Sequence, residues 1–158
     1  MTKKWSILVA VLALVLMAVQ FAGPAVGQES SEEGSRGLLV NVTTDDTWSA
    51  NMAITLATGA ATSGLETVIF LNVRGVYLAD AGRMPATEGN SDLNIHEKLL
   101  AFMDAGGMVM VCPGCSQEAG ITPEDLIPRA MMGKPGGIIP LLASPDYNII
   151  SYNEPPDR

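Results

Sequence analysis

The chain has 158 residues, with nine basic against 17 acidic side chains and a formal net charge of −8. That length holds one α/β domain and is too short for two. The acidic balance argues against a nucleic-acid footprint and favours solubility.

The N-terminus reads as an export signal. Lys3 and Lys4 form a short positive segment, an apolar run of about 13 residues follows from Ile7 to Val19, and Ala22–Gly27 is built of small residues. Ala25 and Gly27 stand at −3 and −1 of a signal-peptidase site, which predicts cleavage before Gln28 and residues 1–27 as the signal peptide. The run is shorter than a spanning helix needs, although an uncleaved anchor is the alternative. Loss of Lys3 and Lys4 leaves seven basic against 17 acidic residues, a mature charge of −10. No second long apolar segment follows, so the expected location is the periplasm or another exported compartment, without a membrane span.

Residues 28–36 are a polar lead expected to be disordered. Residues 37–152 form the domain, and 153–158 are a polar tail. Gly37–Val42 is apolar and β-rich, and predicts the first strand. Thr43–Asp46 supplies turn and N-cap oxygens. Trp48, Met52, Leu56 and Ala60 then recur at a spacing of four, with Ala53 and Ala57 alongside, which predicts the apolar face of a helix ended by Gly64. Thr67–Leu71 is apolar on consecutive positions, as in a strand buried on both faces. Asn72–Ser91 reads as a loop.

Asn94 with Glu97 suggests a capping box, and Ile95, Leu99, Phe102 and Met103 the inner face of the second helix. Met108–Val111 predicts a third buried strand running into Cys112. Pro113–Ala119 predicts a short helix stopped by Gly120. Thr122 caps another at Pro123, Ala130–Met132 is a short strand, Ile138–Ala143 a short helix, and Tyr147–Tyr152 the closing strand. Strands alternating with helices predict a parallel sheet of about five strands with helices on both faces. Reactive groups gather at the carboxyl ends of such strands, so Thr43–Asp46, Asn72–Tyr77 and Cys112 should share one edge.

Cys112-Pro113-Gly114-Cys115 falls at a strand-to-helix junction. A bridge across so small a loop is a weak staple, so reactive cysteines are the better reading. The positive end of a helix favours a thiolate at Cys112, with Cys115 as its resolving partner. Two Cys and one His fall short of a tetrahedral zinc site. His96 reads as a solvated helix residue.

These residues resemble the DsrE/DsrF-like (YchN/TusD-type) sulfur-relay family, in particular small members with a Cys-Pro-x-Cys motif. The stretches that carry the likeness are Val68–Val76, Val109–Cys115, Ala119-Gly120-Ile121, Asp125-Leu126-Ile127-Pro128 and Tyr147–Tyr152. The resemblance implies a flavodoxin-like α/β domain, assembly as a homotrimer or homohexamer, and a strand-end cysteine able to hold a persulfide, here Cys112. The export signal departs from relatives that relay sulfur in the cytoplasm.

The seven methionines of the mature chain are expected mostly in the core, although exported Met-rich proteins can bind Cu(I). Gly133-Lys134-Pro135-Gly136-Gly137 lacks phosphate-loop spacing and reads as a turn. Asn41-Val42-Thr43 matches a glycosylation acceptor on a buried strand, where chance explains it. Trp48 is expected in core or subunit packing, or at the site. The function expected is an exported sulfur carrier or thiol-redox protein of sulfurtransferase or thiol-oxidoreductase type. It uses Cys112 and Cys115 with a donor or acceptor protein and no bound cofactor. The alternatives are a Cu(I)-binding module and an oligomeric scaffold with inert cysteines.

Overall fold

The computed structural model describes residues 37–87 and 92–153. The expected signal peptide, its cleavage site, the polar lead and residues 154–158 of the tail lie outside them. Five strands form one sheet: β1 (Gly37–Val42), β2 (Thr67–Leu71), β3 (Met108–Val111), β4 (Met131–Met132) and β5 (Tyr147–Tyr152). The order across the sheet is β4-β3-β2-β1-β5 and every pairing is parallel. The α/β fold expected from the alternating pattern is therefore present.

Each strand from β1 to β4 is added on the same side of its predecessor. Right-handed crossovers then place the helices α1 (Thr47–Thr62), α2 (Ile95–Asp104) and α3 (Pro113–Ala119) on one face. Leu38, Val40, Val42, Ile69, Leu71, Val109 and Val111 point to that face and join the main core. Such side chains each contribute about 2 kcal/mol on burial. The β4–β5 connection, which contains α4 (Ile139–Ala143), returns across the opposite face. That face carries Leu39 and Val68, both buried, beside the half-buried Phe70 and Met110.

α2 begins as expected: the Asn94 side chain accepts the Glu97 N–H, and the Glu97 carboxylate accepts the Asn94 N–H. Gly107 follows it because the Phe102 ring occupies the place a Cβ would take. The turn Thr122-Pro123 opens only a short 3-10 helix, Pro123–Asp125.

Three expectations are corrected. α1 buries Ala50, Ala53, Ile54, Ala57 and Ala61, while Trp48, Met52 and Leu56 are exposed at 65%, 45% and 40%. Small residues face inward because α1 packs against both the sheet and α2. The methionines are likewise not mainly core: Met52, Met84, Met108 and Met131 are exposed. Asn72–Ser91 is also more than a loop, since Val73–Ala79 forms a 3-10 helix.

The helix phase predicts a clear contrast in urea denaturation. Met52→Gln should change stability by less than about 0.5 kcal/mol, because no core contact is lost. Ala57→Leu should cost about 2 kcal/mol by overpacking the sheet-facing side. The reverse order would restore Trp48, Met52 and Leu56 to the core.

Candidate functional site

Cys112 follows directly from β3, and its N–H donates to the Leu71 carbonyl at 2.8 Å, carrying the ladder one residue further. It is the N-cap of α3, with φ −66° and ψ 119°, and Pro113 begins the helix. Proline suits that position because its missing N–H would find no partner there. The Cys112 sulfur accepts the Cys115 N–H at 3.4 Å, and its carbonyl accepts the Ser116 N–H at 2.9 Å. Gly120 closes the helix in the left-handed conformation at φ 71°. Both thiols are free and half-buried. The two predicted cysteines are thus brought together within one helical turn at the carboxyl edge of the sheet.

Burial pushes the Cys115 thiol above its ordinary value, and its hydrogen bond to Cys112 raises it further. The Val73 N–H, directed at the Cys115 sulfur, acts in the opposite direction. Val73 sits at φ 50°, a left-handed conformation that a β-branched residue rarely adopts. Its neighbours hold it there. Asn72 N–H donates to the Val42 carbonyl at 3.0 Å and Arg74 N–H to the Thr43 carbonyl at 3.2 Å. Gly75 packs so closely on Val42 that a Cβ would run into its carbonyl oxygen. Strained backbone of this kind concentrates at functional sites.

The other loops predicted for this edge are here too. Asp45 accepts from Arg74 at 2.8 Å and from Arg83 at 3.1 Å. Burial alone would raise the Asp45 carboxyl, but the two arginines outweigh it and hold it below its ordinary value. The Arg83 guanidinium lies 4.0 Å from the Tyr77 ring centre. Asp45, Thr47, Tyr77, Arg83 and His96 line a cavity of about 260 Å³. His96, expected to be solvated, is half-buried; burial lowers its imidazole value, with Asp80 opposing. Trp48 is exposed and does not line this cavity. Asn41, the glycosylation match, is half-buried and tied to Ser151 and Asn72 by side-chain hydrogen bonds.

A second cavity, of about 390 Å³, opens on the other face of the sheet beside Cys112. Phe70, Met110 and Ile138 form its apolar wall, with Gln117 and Lys134 as polar members. Gly133 allows this approach: a Cβ there would sit 3.2 Å from the Val111 carbonyl oxygen and 3.4 Å from Met110 Cγ. Sequence reasoning missed Lys134 and Val73. Lys134 lay in what read as a turn, and no residue pattern marks a left-handed valine.

Among the described residues, no group of three or more His, Cys, Asp or Glu side chains is arranged to hold a metal ion. Nor, among them, is any helix long and apolar enough to cross a membrane.

Comparison with known proteins gives a consistent picture. The DsrE/DsrF-like family model matches residues 37–151. The uncharacterized protein MJ0989 of Methanocaldococcus jannaschii is 30% identical over 103 residues, covering 65% of this chain and 86% of the relative. The crystal structure of the ychN protein from E. coli superposes with a TM-score of 0.62 at 20% identity, covering 74% of this chain and 99% of that one. MTH1491 from Methanobacterium thermoautotrophicum, a protein of unknown function, gives 0.59 at 12% identity, with coverages of 72% and 96%. At these identities the two structures speak for the fold alone.

Proposed function

The chain belongs to the DsrE/DsrF-like family, and from that premise we propose that it is an exported sulfur carrier in which Cys112 takes up sulfane sulfur and Cys115 resolves it. The family is in general one of sulfur relay, whose members act with partner proteins and oligomerise. The observation that carries the reading is the division of labour between the thiols. The Cys112 sulfur accepts the helix-start N–H of Cys115, the contact a thiolate needs. Cys115 is held protonated by burial and donates toward the same sulfur.

In this reading a Cys112 thiolate attacks the outer sulfur of a sulfane donor. The new S–S bond forms as the donor's own S–S bond breaks, the donor leaves as its anion with the electron pair, and Cys112 becomes a persulfide. A partner thiol then takes the outer sulfur. Without a partner the raised Cys115 thiol attacks the Cys112 sulfur only slowly at neutral pH, releasing hydrosulfide and leaving a Cys112–Cys115 disulfide, so the persulfide persists long enough to be read. A disulfide cycle without sulfur transfer uses the same pair. The proposed compartment is the periplasm, reached through the cleaved segment 1–27. The proposed assembly is a homotrimer or homohexamer.

Cyanolysis tests the carrier reading. Reduced protein incubated with polysulfide, desalted and treated with cyanide should release about one thiocyanate per chain, the stoichiometry of a single persulfide. Release no greater than from heat-unfolded, thiol-blocked protein would overturn it.

A further inference from the structure

Resting on the carrier reading, we propose that the sulfur donor to Cys112 is a small organic thiosulfonate, its apolar body held on Phe70, Met110 and Ile138 and its negative charge held by Lys134. Four observations support this. The first is access: Cys112 lines the cleft of about 390 Å³ between the sheet and the returning β4–β5 connection. That volume suits a small organic molecule.

The second is charge. Among the described residues, Arg74 and Arg83 are paired with Asp45, Arg129 with Asp104, and Lys98 with Asn51. Lys134 is the one basic side chain there without such a partner, and it lines this cleft. In a chain of net charge −8 the overall field disfavours anions, so an unpaired cation beside Cys112 is a local exception. A thiolate attacking an anionic donor adds a second like charge, which a nearby cation offsets.

The third is the wall. Phe70 and Met110 come from the sheet face and Ile138 from the connection, so the cleft offers apolar surface that a bare inorganic anion would not use. The fourth is construction. Gly133 permits close approach to β3, Gly136 takes φ 72°, and the Gly137 N–H donates to the Lys134 carbonyl at 2.8 Å. Lys134 is therefore carried on a hydrogen-bonded turn.

The step balances without any added oxidant. The Cys112 thiolate attacks the terminal sulfur of R–SO2–S⁻, and a new S–S bond forms. The original S–S bond breaks with its electron pair on the sulfonyl sulfur, which leaves as the sulfinate R–SO2⁻. Cys112 becomes Cys112–S–S⁻, and the total charge is unchanged.

The test compares wild type, Lys134→Gln and Lys134→Arg at low salt, with benzenethiosulfonate as donor and mass spectrometry as readout. Lys134→Gln should load about fivefold more slowly, Lys134→Arg at near the wild-type rate, and 1 M salt should erase the difference. Alkylation of Cys112 by anionic iodoacetate should slow similarly, whereas neutral iodoacetamide should react as in wild type. Benzenesulfonate should protect Cys112 from iodoacetamide in wild type, and sulfate should not. Equal loading of wild type and Lys134→Gln, or an equal loss with every reagent, overturns the role of Lys134. Protection by sulfate equal to that by benzenesulfonate overturns the organic body. Wild type that takes sulfur from neither polysulfide nor benzenethiosulfonate overturns the carrier reading itself, a separate result.

Discussion

Cys112→Ser should abolish sulfur loading while leaving the protein folded, and Cys115→Ser should keep it. The clean fold follows from local chemistry. Cys112 is the N-cap of α3, and serine is among the best residues at that position, so the helix keeps its first hydrogen bond. What remains in Cys112→Ser is one thiol that burial holds above its ordinary 9.0. At pH 7 such a thiol is less than about 1% ionised, and reactivity follows the thiolate. Alkylation of Cys112→Ser should therefore be slow at neutral pH and rise about tenfold per pH unit until it passes the raised value. In Cys115→Ser the backbone N–H that points at the Cys112 sulfur is retained, so loading should fall by less than about tenfold. Fast neutral-pH alkylation of Cys112→Ser, with slow alkylation of Cys115→Ser, would reverse the two roles.

Gly75→Ala should cost about 3 kcal/mol and lower the melting temperature by about 10 °C. A Cβ at Gly75 would be driven into the Val42 carbonyl oxygen, which also receives the Asn72 N–H at 3.0 Å. Backbone offers no flexible tip to bend away, so the Val73–Ala79 helix must lift from β1. That movement carries the Val73 N–H off Cys115 and loosens Arg74 from Thr43. The variant should consequently show a second effect, a still higher titration of Cys115, in the fraction that remains folded. A loss below about 1 kcal/mol would mean that this close approach is not what seats the edge. Both measurements need only thermal melts and thiol titration.

Much of this fold is legible in the residues because local signals agree with tertiary need. β1, β2 and β3 are apolar at most consecutive positions, the pattern of strands covered on both faces. Asn94 and Glu97 mark the start of α2 by their own hydrogen bonds. Cys112-Pro113 marks the strand-to-helix junction, because proline tolerates the first helical turn and little else in an α-helix.

The expected face of α1 holds at Ala53 and Ala57, which are buried, and fails at Trp48, Met52 and Leu56 for a physical reason. Its Trp48–Met52–Leu56 stripe and its Ala50–Ala53–Ile54–Ala57–Ala61 stripe share the same helical spacing. Hydrophobicity favours the larger residues, whereas the narrow gap between sheet and α2 accepts only the smaller ones. The Val73–Ala79 helix was invisible because its geometry comes from contacts with β1 and from a left-handed valine, neither of which has a sequence signature. Lys134 stands 22 positions beyond Cys112 in sequence. Only the crossing of the β4–β5 connection over the sheet brings both to one cleft.

The most direct test of the account is to map the sulfur. Reduced wild-type protein is loaded with polysulfide, blocked with iodoacetamide at neutral pH and digested between the two cysteines' flanks. Tandem mass spectrometry then locates the added sulfur of about 32 Da. The account predicts a persulfide on Cys112 with Cys115 carrying only the alkyl group. Sulfur on Cys115, or on neither cysteine of fully reduced protein, would contradict it.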